Sequence, residues 1–221
     1  MENTNSAPST AEPIEEKSVK WLGTSESECQ RMIDYATKRN PTVKFMLEKM
    51  EEASGLFLLF LSLPSLSSHQ PQLQAGCSLP PGFIRVEHCD MEVGGGFRAP
   101  DGVIICHNHL ATQEEINHAL THELVHAYDH CRAKDLDWLN CAHHACSEIR
   151  AASLSGDCSY KMEFLRGHMA MRGQHQKCVK RRAELSVRMN PNCARPGQAQ
   201  KAVEKVFDAC FADTAPFDRR P

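Results

Sequence analysis

The stretch from Thr112 to Tyr128, Thr-Gln-Glu-Glu-Ile-Asn-His-Ala-Leu-Thr-His-Glu-Leu-Val-His-Ala-Tyr, constrains the fold more than any other part of the chain. Thr112 followed three residues later by Glu115 is a capping-box pattern, and Ile116, Ala119, Leu120, Leu124, Ala127 and Tyr128 recur at helical spacing. These features predict a half-buried helix, and the rest of the chain has to supply a core for its apolar stripe. His122 and His126 then project from one face, four residues apart, where two imidazole nitrogens can meet one metal ion. Glu123 lies beside the first histidine. From there a carboxylate reaches a water on the ion without filling a coordination position, as the general base of a zinc peptidase must. With twelve histidines in the chain, chance is the plain alternative, and the coincidence of the spacing with a capped amphipathic helix argues against it.

The 221 residues suffice for one domain with a real core plus tails, and the net charge of −3 argues against a general nucleic-acid binder. Residues 1–24 are rich in Ser, Thr, Pro and Glu, lack apolar periodicity and read as a disordered lead. They have neither the apolar core of a secretory signal nor the arginine-rich helix of a mitochondrial presequence. Residues 25–221 form the expected domain. Ser27 with Gln30 can cap a first helix, and Asn40-Pro41 starts a second carrying Val43, Met46, Leu47 and Met50 on one face. The apolar run that begins at Gly55 is stopped by Pro64, short of the roughly 20 residues needed to cross a bilayer. Residues 55–75 read as an insertion capable of interfacial membrane contact. Residues 83–87 and 102–106 read as strands, separated by Gly94-Gly-Gly96 and a turn at 99–102. An exposed edge of such a sheet can pair with an extended substrate.

A catalytic zinc site takes three protein ligands and keeps a fourth position open. The segment from Asn140 to Leu154 reads as a second helix with a small-residue face at Ala142, Ala145, Ile149 and Ala152. It carries Glu148, 22 residues after His126, which is chosen as the third ligand. His144, Asp129, His130 and Asp157 stay open as alternatives. Arg132 stands where a metzincin would have its third histidine, which excludes that arrangement. Tyr128 is near enough to be considered for stabilising an oxyanion, although its periodicity favours core packing.

The blocks Thr121-His-Glu-Leu-Val-His-Ala-Tyr-Asp-His-Cys-Arg132, Leu136-Asp-Trp138, Asn140 to Cys158 and Pro216-Phe-Asp-Arg219 carry a more specific resemblance. The chain is similar, from about residue 27 to its end, to the mitochondrial inner-membrane metalloproteases that mature and help assemble the membrane sector of ATP synthase. Residues 55–75 depart from that family, which generally passes from the Asn-Pro helix to the first strand by a short cysteine-bearing link. The resemblance implies protein substrates, namely the precursor of ATP synthase subunit 6 and unstable intermembrane-space proteins. It also implies peripheral association with the inner membrane on its intermembrane-space side. The rival expectation is an assembly chaperone whose metal site is structural or dispensable; an intact base at Glu123 favours the enzyme.

Eleven cysteines without a Cys-x-x-Cys pair point to disulfides and an oxidising compartment, which without a secretory signal means the intermembrane space. The odd count leaves one over, and Cys29, far from the rest, is the expected one. Between Lys161 and Arg188 eight Lys or Arg face two Glu, including Lys180-Arg-Arg182. This reads as a solvated helix face or as a contact for anionic lipid or an acidic partner. Ala202, Val203, Val206, Phe207 and Cys210 mark a last helix tied down by a disulfide. The expected whole is a single α+β zincin-like domain, mostly helical with a small sheet, disulfide-stabilised, holding one Zn2+ per chain through His122, His126 and Glu148, with Glu123 catalytic.

Overall fold

The computed structural model describes residues 23–61, 79–133, 135–168 and 172–221. The expected N-terminal lead lies outside these up to residue 22, and the expected insertion lies outside them from residue 62. Helix α1 (Glu26–Arg39) starts two residues earlier than its sequence pattern suggests. The hydroxyl of Ser25 accepts from the Glu28 N–H, and Ser27 sits inside the first turn. Helix α2 (Pro41–Leu61) starts as expected, with Asn40 Oδ1 accepting from the N–H groups of Thr42 and Val43 at 3.0 Å each. Val43, Met46 and Met50 are fully buried in a cluster shared with α1, the sheet and the motif helix. Because α2 runs to Leu61, residues 55–61 prolong this helix instead of leaving it. No helix among the described residues is long and apolar enough to cross a membrane.

Three strands follow, β1 (Ile84–Glu87), β2 (Gly95–Arg98) and β3 (Gly102–Cys106), in the order β1-β3-β2. β1 runs parallel to β3, with Ile84 opposite Val103, and β2 antiparallel, with Gly96 opposite Ile104. β2 replaces the glycine break expected at 94–96. Glycine disfavours strands in general, but here its missing side chain is what the packing requires. A Cβ on Gly95 would stand 2.7 Å from the Ile104 carbonyl oxygen and 3.3 Å from Glu123 Cγ. Gly102 closes the turn into β3 at φ +123°, where a Cβ would meet the Phe83 carbonyl oxygen at 2.2 Å.

The motif helix α3 (Gln113–Arg132) has the full capping box between Thr112 and Glu115. Four more helices follow, α4 (Cys141–Leu154), α5 (Tyr160–Leu165), α6 (Gln174–Arg188) and α7 (Gln198–Ala212). α4 is the wall shared by two cores. Its Ala151 and Leu154 belong to the cluster with α1, α2 and α3, whereas Ala145, Ile149 and Ala152 belong to a second cluster with α6 and α7. Disulfides fasten this second layer: Cys146–Cys210 joins α4 to α7, Cys141–Cys193 joins it to the turn before α7, and Cys158–Cys178 reaches α6. Cys89–Cys106 holds the β1–β2 connection to β3. Among the described residues Cys29 is the one free cysteine, buried in α1.

Candidate metal centre

α3 and α4 bring His122, His126 and Glu148 together. His122 Nε2 lies 3.4 Å from Glu148 Oε2, and His126 Nε2 lies 3.5 Å from Oε1. One ligand atom from each of the three residues falls within 4.8 Å of the other two. Charge-assisted N–H···O bonds run about 2.7–2.9 Å, so these contacts are too long for good ones. They match the roughly 3.4 Å that separates neighbouring ligands around a tetrahedral ion with bonds of about 2.0–2.2 Å. Glu148 Oε2 is buried without a hydrogen-bond partner, a costly state for a carboxylate oxygen that a cation relieves. Two imidazoles and one carboxylate fit a zinc-like divalent cation.

The other candidates face elsewhere. Asp157 is paired with Arg166 at 2.5 Å and Arg182 at 2.7 Å. Asp129 is bound by Arg150 and Arg132 at 2.9 and 3.0 Å. His130 packs against Phe97 and Trp138, at ring separations of 5.7 and 6.3 Å. His144 comes closest, its Nε2 3.3 Å from Glu148 Oε1. Its orientation is set by Asn190, whose Oδ1 accepts from the Asn192 N–H and whose Nδ2–H groups therefore face the Trp138 carbonyl at 2.8 Å and His144 Nδ1 at 3.3 Å. With Nδ1 accepting, a neutral His144 carries its proton on Nε2 and offers Glu148 a donor instead of a lone pair. Tyr128 packs on the first core under the Arg132 guanidinium and stands apart from the cluster.

The charges of the metal-free site follow from burial and from one another. Burial disfavours the His122 imidazolium, but Glu148, Glu123 and Asp157 outweigh it and raise His122 to about 9. His126, buried and beside two other histidines, falls to about 3. Glu148 is held well below the usual carboxylate range by the histidines around it, against the effect of its burial. Glu123 is pushed up to about 7, chiefly by burial and further by Glu148.

β2 delivers a backbone group to the same place. Cys106 N–H donates to the Gly94 carbonyl at 3.0 Å, so in the alternation of an antiparallel pair residues 95 and 97 turn their N–H and C=O away from β3. The Phe97 N–H points to the Glu123 carboxylate. Among the described residues β2 is an edge strand, and this edge of the sheet runs beside the motif helix. The Phe97 ring packs against Trp138, which stands edge-on to His126 and His144. The triple glycine hid this edge, and Asn190 lies 46 residues from His144 with no local signal for their contact.

The sequence pattern of the Peptidase M76 family matches residues 27–218. The chain belongs to the Peptidase M76 family. A relative from Malassezia globosa, named mitochondrial inner membrane protease ATP23, is 39% identical over 86% of this chain and 76% of its own length. Similar proteins of the same name occur in Mycosarcoma maydis, 38% identical over 88% of this chain and 92% of its own, and in Yarrowia lipolytica, 38% identical over 86% and 67%. No solved structure matches. The M76 chain is therefore a peptidase, and the cluster of half-buried His122 with buried His126, Glu148 and Glu123 is the candidate centre.

The basic run of this M76 chain turns out to close largely on its own carboxylates. Arg181 reaches Glu163 at 2.7 Å, Arg182 reaches Asp157, and Lys180 lies over the Phe207 ring at 4.3 Å. Lys161 pairs with Glu114, Arg166 with Asp157 and Arg188 with Glu184. Much of the positive charge expected to face solvent or lipid is neutralised within the chain.

Proposed function

We propose that this M76 peptidase is a zinc metalloendopeptidase with a zincin-like site, in which His122, His126 and Glu148 hold one ion per chain and Glu123 is the general base. The observation that carries this reading is the convergence of two imidazoles and a carboxylate at ligand spacing, next to a second carboxylate raised to about 7. A bound zinc ion supplies Lewis acidity, polarising the scissile carbonyl and acidifying the attacking water. Glu123 accepts the proton of that water on its carboxylate and returns it to the leaving amine. An extended peptide adding to the free edge of β2 presents its backbone beside Glu123.

We assign it to the intermembrane-space side of the mitochondrial inner membrane, peripherally attached, with the subunit 6 precursor of ATP synthase and unstable intermembrane-space proteins as substrates. The relatives' name supports the membrane, the four disulfides among the described residues support an oxidising compartment, and the motif blocks support the substrates. The test is Glu123→Gln in cells lacking the endogenous protein. Bound zinc retained with subunit 6 cleavage lost is the expected result. Cleavage unchanged would overturn the mechanism, and ATP synthase assembled normally by the inactive variant would assign the assembly role to a chaperone activity separable from proteolysis.

A further inference from the structure

His126 is held from behind by a buried chain of polar groups. Its Nδ1 lies 2.8 Å from Ser147 Oγ, and the Ser147 hydroxyl donates to Asp129 Oδ2 at 2.9 Å. A hydroxyl has one hydrogen, and this one is used on Asp129, so Ser147 can only accept from the imidazole. The proton of His126 is thereby placed on Nδ1, and the lone pair on Nε2, the atom that faces Glu148.

The chain is anchored on three sides. Asp129 accepts from Arg150 Nε at 2.9 and 3.1 Å and from Arg132 Nε at 3.0 Å. Arg150 is 1% exposed and donates onward to the Asp213 carbonyl at 2.6 Å and to the Ala215 carbonyl. Arg132 closes the circuit on the Asp213 carboxylate at 2.5 Å. Arg132 of α3 and Arg150 of α4 hold the carboxylate, and the segment after α7 holds the two guanidiniums. With two guanidiniums on it, Asp129 orients more than it charges the imidazole. A buried helical serine commonly satisfies itself on the carbonyl one turn back. Ser147 instead joins two groups of α3.

We infer that Ser147 and Asp129 are positioning residues for His126, fixing the tautomer and ring direction that leave Nε2 free toward Glu148. The inference rests on the ligand role proposed above for His126. Groups that orient a metal-binding histidine typically contribute about 10–100-fold to affinity.

The test compares the full chain with Ser147→Ala, Ser147→Thr and, as a control, Ser153→Ala. Ser153 is a buried α4 serine whose hydroxyl accepts from Arg220 and has no part in the site. Zinc affinity is read by competition with a chromophoric chelator, and thermal unfolding is read without metal. Ser147→Ala is expected to weaken zinc about 10–100-fold, with Ser147→Thr restoring it and Ser153→Ala leaving it unchanged. Zinc bound as tightly by Ser147→Ala as by Ser153→Ala would overturn the inference. Nitrogen-15 spectra of the unmodified metal-free chain need no variant to fold: a His126 proton on Nδ1 is expected, and one on Nε2 overturns the assignment. His126→Ala separates the two levels, because affinity unchanged there would overturn the ligand role itself.

Discussion

His122 and Glu123 are neighbours with opposite proton requirements. In the metal-free site His122, raised to about 9, holds a proton at neutral pH, and a metal ligand has to give it up. Metal and proton therefore compete below that value. Zinc affinity is expected to rise about tenfold per pH unit between 7 and 9 and then level off. Calorimetry in buffers of different ionisation enthalpy should find about one proton per ion released by His122 at pH 7, with a further fraction from Glu123; a pH-independent affinity would remove His122 from the ligand set. Glu123 titrates near 7 without metal, and a dication beside it favours its ionised form, so the acid limb of peptidase activity is expected below pH 7. At this scale the sequence was legible where function is local. The two histidines and Glu123, the proposed base, lie within five residues of one helix, and their spacing alone singles them out as candidates. Ser147 and Asn190 were not legible, because their roles exist only once α4 and the turn before α7 are packed beside α3 and Trp138.

β2 shows an element made by its surroundings. Three successive glycines read as a break, yet close packing under Ile104 and Glu123 turns the absence of side chains into the condition for a strand. Gly95→Ala is expected to push β2 off Glu123 and lower kcat, by up to about 100-fold if the displacement nears 1 Å, with zinc content unchanged. Steady-state kinetics beside metal analysis would check this. The elements with their own signals, α2, α3 and α4 with their caps and apolar periods, were readable from sequence. The basic stretch around α6 reads from sequence as a plain charge excess because charge counting sees one helix and not the carboxylates its neighbours bring to it. The neighbours are decisive at Asp157, whose burial penalty is outweighed by Arg182 and Arg166, so that its carboxyl falls from 3.8 to about 2. A depressed carboxyl stabilises the fold above its unfolded pKa and loses that contribution as pH drops through the folded one. Asp157 should therefore contribute about 2 kcal/mol at pH 7, lost between about pH 4 and 2. Asp157→Asn should unfold at lower denaturant and show a flatter acid transition over that window.

The molecule as a whole is two cores sharing α4, and three of its disulfides fasten the second core. The Cys146–Cys210 bridge spans 64 residues, for which loop closure alone is worth about 4 kcal/mol. Paired Cys146→Ser and Cys210→Ser substitutions are expected to lower the melting temperature and, because Glu148 rides on the same helix, to release zinc more readily. Zinc loss on adding reductant, followed with a chromophoric indicator, checks the link. The cysteine count predicted bridges and the leftover Cys29, but pairing is a property of the packed layers, which no spacing in the chain encodes. His122 and His126 stand on one core's helix, and Glu148 stands on the wall between the two. A chain whose α4 is not yet packed beside α3 keeps its His-Glu-Leu-Val-His stretch but lacks the opposing carboxylate. An order of events follows: the two helices must pack before the ligand set exists, so that the newly made protease stays harmless to its neighbours until its two cores have met.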